Sequence, residues 1–417
     1  MLLTSLMRVI LTRSFKPFVF DKRYTNNLKF EALDELGLYV HIPFCRSICS
    51  FCPYCKEIYS KQRADDYKIA LLKEIELACR NMKGRKKATS LYFGGGTPAM
   101  MIDDLKDIID KLKEFFILSG GVGVELHPYD ITEENLGKLK SAGVTMVSLG
   151  IQSFNEECLS KLGRSVTSFE EKIKLAADFE FDAVDVDLIF AIPGQTDKIL
   201  ENDIKTAFAC GATQVSTYPF IDFTFSDNEY KPMSKKVKRR MLRNLNRFCR
   251  QINIERTSVW TFAKPGAEKY SSVTRDAFLG FGVSATSLLR TSFKINTFSI
   301  DGYIARVNES QLPTSLTLRF TRRQRAVYYL FWGAYSMKVD GDKFEMIVGS
   351  PLRKMFGLEL DLAEKAGLIK RKDNGYEITE KGSLIYHDIE QVYTTAYIDK
   401  MWNLLRNVPF PNKMILR

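Results

Sequence analysis

Between about residues 38 and 220 the chain alternates short apolar runs with longer stretches of mixed polarity. The short runs, at 38–42, 90–93, 122–125, 146–151, 184–190 and 214–218, are rich in β-branched and aromatic residues and read as strands. Between them, 64–82, 103–116, 132–142, 168–181 and 198–209 carry apolar residues at helical spacing. Repeated strand–helix units imply parallel strands joined by right-handed crossovers, in an open sheet or a full or partial barrel. Functional residues then gather where strands end and loops begin.

The C-terminal part has a different rhythm. Helices are expected at 321–337 and 358–366, a hairpin over 369–378 turning at Asn374-Gly375, and a long helix over 379–402. Together they read as a small winged-helix-like module. The expected division is an N-terminal extension at 1–36, a core at 37–255, a capping α/β extension at 256–315 and a helical, winged-helix-like domain at 316–417. The first twenty residues hold Arg8, Arg13 and Lys16 and no acid before Asp21. They suit either an amphipathic targeting or interfacial segment or a helix and strand packed on the body. The expected location is the cytoplasm, with membrane or organelle left open by that segment.

Hydrophobic residues make up 45% of the 417 and charged residues 27%, a globular balance with no apolar run long enough to span a bilayer. The formal charge is +11, and ten Lys/Arg against the single acid Glu255 fall in residues 231–256. There Val237, Met241, Leu245 and Phe248 share one helical face, so the charges occupy the others. A solvated basic face is the favoured reading, ahead of a surface for a polycarboxylate or an acidic partner. Nucleic acid is not expected, because interleaved aromatics and a recognisable binding module are missing.

Chemistry enters with Cys45, Cys49 and Cys52, delivered from one loop after the first strand in a C-x3-C-x2-C spacing. A cubane iron–sulfur cluster has four irons, each needing a ligand besides its bridging sulfides, and thiolates are the usual protein ligands. Three close thiolates fill three irons and leave the fourth for a small molecule. Zinc would want a second ligand pair, which does not follow. Disulfides are disfavoured by the scattered Cys79, Cys158, Cys210 and Cys249, which read as core residues. Cys55 is the complication: bound to the fourth iron it would close the cluster, and the favoured reading makes it a neighbour instead.

Other suggestive residues sit at successive strand ends. Gly94-Gly95-Gly96-Thr97-Pro98 follows the second strand, where glycines permit a sharp bend and close approach of a ligand. Glu125 closes the third strand, Gln152 follows the fourth, Arg164 lies beyond it, and Asp187 sits inside the fifth. Carboxylates in apolar strands need partners. Either an ion pair with Arg164 or a zwitterionic nucleoside ligand would serve.

In this order, these motifs resemble the radical S-adenosylmethionine (SAM) enzymes, in the branch of oxygen-independent coproporphyrinogen III oxidase and its relatives. Tyr39-x-His41-Ile42-Pro43-Phe44-Cys45, the glycine run, Leu149–Phe154 and Asp187–Thr196 carry the resemblance, which extends over roughly residues 36–397. It implies an α/β fold, a partial (β/α)6 barrel with a small C-terminal domain over its mouth. It further implies a [4Fe–4S] cluster on Cys45, Cys49 and Cys52, whose open iron chelates SAM, with a second SAM molecule allowed. Gly95, Gly96, Thr97, Glu125, Gln152, Arg164 and Asp187 match cofactor-binding positions, and Tyr39 and Cys55 are the catalytic candidates beside the cluster. Reductive cleavage would yield a 5′-deoxyadenosyl radical that abstracts a substrate hydrogen. The implied partners are a flavodoxin- or ferredoxin-type electron donor and a tetrapyrrole or similarly large substrate, and the expected state is a monomer. A haem-binding chaperone and a class C methylase or cyclopropanase are the alternatives within the same architecture. The chain departs from the oxidases in having Cys52-x-x-Cys55 rather than C-x-C. It also keeps only Arg23-Tyr24-Thr25 of their Arg-Tyr-Thr-Ser-Tyr-Pro segment, followed by Asn26-Asn27.

Overall fold

The computed structural model describes all residues except 1, 23–27, 29, 31–32, 166–167, 227 and 271–275, so the Arg23–Asn27 segment lies outside the described residues. Six parallel strands follow one another in sequence order: β1 (Glu35–Ile42), β2 (Lys86–Gly95), β3 (Val122–Leu126), β4 (Met146–Gln152), β5 (Ala183–Phe190) and β6 (Gln214–Pro219). Each pair is joined by at least one helix, the (β/α)6 arrangement expected from the alternation.

Period-two alternation explains the inside and the outside of this barrel. Leu36, Leu38, Val40 and Ile42 on β1, Leu91 and Phe93 on β2, and Val184, Val186 and Leu188 on β5 are buried in the main core. Their neighbours Tyr39, Tyr92, Asp185 and Asp187 turn to the opposite face and line a central cavity. The helices cap as their sequences prescribe: Ser60, Thr132, Thr196 and Ser234 each accept a backbone N–H of the first turn.

The sheet does not stop at β1. A further parallel strand, β7 (Phe278–Phe281), joins its edge, and antiparallel strands β8 (Thr286–Leu288), β9 (Ser292–Asn296) and β10 (Thr314–Arg319) follow. The strand Phe18–Asp21 pairs with β10 and with the C-terminal strand Lys413–Leu416. The N-terminal segment is thus a helix, Leu2–Thr12, and a strand packed on the body. Among the described residues no helix is long and apolar enough to cross a membrane.

One buried carboxylate ties this extension to the barrel. Glu74, on the helix Lys61–Cys79, is 3% exposed and accepts from Gly282 N (2.6 Å), Asn296 Nδ2 (2.8 Å) and Tyr303 OH (2.6 Å). Glu74→Ala would strand three donors, and a loss of about 3 kcal/mol or more in unfolding free energy is expected, read from urea denaturation.

A second, smaller core forms around Ala326, Tyr329, Phe344, Phe356, Leu360 and Tyr376, beneath a three-stranded sheet of Lys338–Asp340, Gly375–Ile378 and Ile369–Lys372. Its hairpin turns one residue earlier than expected. Lys372 pairs with Gly375, leaving Asp373 and Asn374 as the loop, with Asp373 in the left-handed region (φ 50°). The long C-terminal helix is also not uniform. It runs α-helical over Glu380–Tyr393, passes through a π turn at Thr394–Ile398, where Asp399 N–H reaches back to Thr394 C=O, and resumes over Asp399–Asn407.

The basic helix forms over Lys235–Gln251 and buries Met241, Leu242, Leu245 and Cys249. Part of its charge meets acids: Arg239 pairs with Asp388, and Arg250 with Glu380 at 2.7 Å. Lys235, Lys236, Arg243 and Arg247 remain in solvent.

Candidate radical SAM site

All six barrel strands send one polar side chain or more into a cavity of about 1040 Å³. Register makes the ring: Tyr39 lies beside Tyr92, Glu125 beside Ser148, Ser148 beside Asp185, and Asp187 beside Ser216.

The cysteine loop closes over the C-terminal ends of β1 and β2. Gly95 adopts φ 125°, and a Cβ there would lie 2.7 Å from Ile42 O and 2.8 Å from the His41 ring. A Cβ at Gly96 would lie 2.7 Å from Phe44 O and 3.0 Å from Cys45 Sγ. The glycine run therefore serves the protein's own packing, admitting the cysteine loop against the strand end. Thr97 Oγ1 approaches Cys45 Sγ at 3.8 Å. Cys45, Cys49 and Cys52 are unpaired by disulfides and line the same cavity wall. Burial, then the neighbouring thiols of Cys52 and Cys49, push the Cys45 thiol up to about 11 despite the Thr97 contact. A cluster of thiols in a site of this kind suits a bound cation, which would hold them as thiolates. Among the described residues no three such ligands converge on a single ion, and a multi-iron cluster, which spreads its thiolates over separate irons, does not require them to.

Cys55 lines the same cavity, but its thiol is already engaged. Its Sγ donates to Phe298 O at 3.3 Å, and burial pushes the thiol up to about 11. Its carbonyl accepts from His41 Nε2 at 2.9 Å. That bond places the imidazole proton on Nε2, so Nδ1 accepts from Tyr39 OH at 3.0 Å. Burial drives His41 down to about 4, so it is neutral at physiological pH. The motif histidine thus fastens the first strand to the end of the cysteine loop.

Glu125 accepts from Tyr92 OH (2.7 Å) and Gly95 N (3.2 Å). Burial and the nearby Asp187 push it up to about 7. Asp187 accepts from Ser148 Oγ at 2.7 Å, and Asp185 from Ser216 Oγ at 2.8 Å. Burial pushes both aspartates up, and the Asp185 Oδ1 is buried without a partner. Arg164 does not form the ion pair considered from sequence. It donates to Gly150 O and lies 5.4 Å from the Phe51 ring centroid, with its Nε buried and unpartnered. Gln152 ends β4 at φ 74°, a left-handed conformation unusual for a side-chain-bearing residue. All the candidate residues from Tyr39 to Asp187 meet around one cavity. Tyr92, Ser148, Asp185 and Ser216 were not foreseen; the signal was their place on the polar face of each strand.

Away from the cysteines the cavity wall becomes aromatic. Trp402 stacks on Phe223 (6.0 Å, 16°) and tilts against Tyr54 (5.8 Å) and Phe298 (6.2 Å). Phe331, Tyr393 and Tyr397 continue the lining from the C-terminal helices.

A parallel barrel with three cysteines at the end of its first strand and carboxylates inside it defines a radical SAM domain, and residues 39–207 match the model of the Radical SAM superfamily. Such a domain carries a [4Fe–4S] cluster and S-adenosylmethionine. The chain as a whole is homologous to haem chaperones and oxygen-independent coproporphyrinogen III oxidases. It is 29% identical to the heme chaperone HemW of Bacillus subtilis over 84% of this chain and 97% of that one. With the oxygen-independent coproporphyrinogen III oxidase of Pseudomonas aeruginosa it shares 26% identity over 89% and 88% of the two chains. In fold it superposes on the coproporphyrinogen III oxidase (HemN) of Escherichia coli with a TM-score of 0.76, covering 93% of this chain and 98% of that one at 22% identity.

Proposed function

We propose that this protein binds a tetrapyrrole against the aromatic wall of its cavity and acts on it by radical chemistry, in the manner of a coproporphyrinogen III oxidase. The observation that carries the reading is the continuity of one cavity, about 1040 Å³, from the three cysteines to the rings of Trp402, Phe331 and Tyr397. That volume lies at the top of the usual range for ligand pockets, roughly 300–1,000 Å³. It suits a cofactor and a large flat substrate together.

In this reading Cys45, Cys49 and Cys52 hold the cluster and Cys55, hydrogen-bonded to Phe298 O, does not. Gly95, Gly96 and Thr97 line the methionyl end of SAM. The carboxylates of Glu125 and Asp187 receive its cationic and hydroxyl groups, Gln152 and Arg164 close the site beside them, and Tyr39 stands next to the cluster. When bound, the cluster and SAM supply a reductively generated 5′-deoxyadenosyl radical that removes a substrate hydrogen. Residues 316–417 act as a cover that keeps water from that step, and residues 256–315 extend the barrel wall. The electron would come from a cytoplasmic donor of the flavodoxin or ferredoxin type.

The full-length match to a haem chaperone favours a second reading, haem delivery. The histidines argue against imidazole ligation of the iron. Both ring nitrogens of His41 are engaged, as are those of His387, with Trp260 Nε1 at 3.1 Å and Gln391 Nε2 at 2.9 Å. His127 Nδ1 accepts from Tyr129 N, which places the proton on Nε2, where a metal would have to bind.

The test is anaerobic. The reconstituted protein, given SAM, dithionite, coproporphyrinogen III and a one-electron acceptor for the electron left when the substrate radical loses CO2, is expected to form 5′-deoxyadenosine and decarboxylated product, separated by chromatography. Haem bound stoichiometrically with a Soret shift, and no decarboxylation, would turn the assignment to the chaperone. Trp402→Ala is expected to weaken binding of either tetrapyrrole about tenfold, ~1.4 kcal/mol.

A further inference from the structure

The C-terminal helix Asp399–Asn407 reaches the cysteine loop with two residues four apart, and so on one face. Trp402 rests on the ring of Tyr54. Arg406 Nη2 donates to the carbonyl of Pro53, the residue that follows Cys52. The guanidinium lies 4.5 Å from the Phe225 ring centroid and 5.8 Å from that of Phe298, and its Nε is buried without a hydrogen-bond partner. Among the described residues no carboxylate pairs with it, and the carbonyl it holds is one residue from Cys52. Lys56 holds the other side of the same stretch, donating to Cys52 O at 2.6 Å.

Arg406 is half-buried, and a cation seated among rings and a carbonyl, with no paired carboxylate, is less screened at short range than one in open solvent. Its nearest prospective counter-charge is the cysteine loop. One-electron reduction makes a cluster more negative and changes no bond, and net charge and hydrogen bonding around the sulfurs set its potential.

We propose that Arg406 is a positioning residue that holds the cysteine loop by its charge and raises the reduction potential of the cluster. The proposal rests on the reading that Cys45, Cys49 and Cys52 carry that cluster. It also gives the C-terminal helix a purpose beyond covering the cavity. The residue that tunes the cluster lies one turn from Trp402, which lines the cavity.

The test compares the full-length native protein with Arg406→Gln and Arg406→Lys, each reconstituted anaerobically with iron and sulfide. Both variants keep a hydrogen-bond donor for Pro53, and only the lysine keeps the charge. Iron content and the midpoint potential, from a dithionite titration followed by electron paramagnetic resonance, are the readouts. The expected result is a more negative potential for the glutamine variant and a near-native one for the lysine variant. Iron lost in the glutamine variant alone also supports a charged tie. A glutamine variant with native potential, a lysine variant shifted as far as the glutamine one, or iron lost equally in both would overturn the proposal. A native protein that takes up no iron would instead sink the cluster reading beneath it.

Discussion

Alanine at Cys45, Cys49 or Cys52 is expected to abolish both cluster loading and formation of 5′-deoxyadenosine, whereas alanine at Cys55 leaves a cluster in place. The contrast follows from how the thiols are engaged. All four line the cavity, with Cys45 beside Gly96 and Thr97, but among the described residues Cys55 alone has its Sγ bonded to a backbone carbonyl. The Cys55 thiol is turned to the Phe298 carbonyl and buried in the main core. Its loss removes one sulfur from packing and leaves one carbonyl short of a donor, a cost of about 1–3 kcal/mol in stability rather than a missing ligand. Iron analysis and visible absorbance after anaerobic reconstitution report the first effect, and thermal unfolding the second. A Cys55→Ala protein unable to retain iron would show that the fourth thiol closes the cluster.

The second large effect is a trade between stability and cofactor binding at Glu125. Burial and Asp187 hold its folded-state value at about 7, against about 4.3 for an unperturbed glutamate. The folded chain therefore binds more protons than the unfolded chain between those values, and its stability falls as pH rises through that window. Glu125→Gln carries no such penalty. Without SAM it should be more stable than the native protein at pH 8, by about 1–3 kcal/mol, and lose the advantage near pH 4.5. The same substitution should weaken SAM binding at pH 8 by tenfold or more, measured by calorimetry on the reconstituted protein. Equal stability of the two proteins at pH 8 would mean that the carboxylate is hydrated rather than strained.

How far the sequence carried depended on whether a signal was local. The six barrel strands were legible because each is a short apolar run with its own bounds, and five of the helices between them because their periodicity is strong. The strand-end residues were legible through motif spacing. Tyr92, Ser148 and Ser216 were not, because a serine or tyrosine within one strand is unremarkable until register sets Ser148 beside Glu125 and Ser216 beside Asp187, and folding brings the Tyr92 hydroxyl to Glu125. Asp185 carries the same signal as Asp187, a carboxylate inside an apolar strand, and was passed over. The continuation of the sheet through β7 to the chain termini depends on pairings between residues hundreds of positions apart, which no local pattern announces. The hairpin shifted by one residue because both Asp373-Asn374 and Asn374-Gly375 are good turn pairs, and cross-strand pairing chose between them. The grip of Trp402 and Arg406 on residues 53–54 spans some 350 positions and was invisible for the same reason.

The π turn at Thr394–Ile398 marks where this helix carries a spare residue. Each α-helical residue advances the direction of its side chain by about 100°, and the widened turn takes up one residue more than a regular helix would, so what lies beyond it keeps its facing. Deleting one residue within the turn would leave an unbroken α-helix with Trp402 and Arg406 still directed at Tyr54 and Pro53. Asp399 would stay on the Thr224 backbone N–H and hydroxyl that it holds at 2.8 and 3.0 Å. A deletion between Asp399 and Trp402 has no such turn to absorb it and would rotate both contact residues by that angle. The count of residues is therefore free at the turn and fixed beyond it, where a single loss would uncouple one end of the molecule from the other.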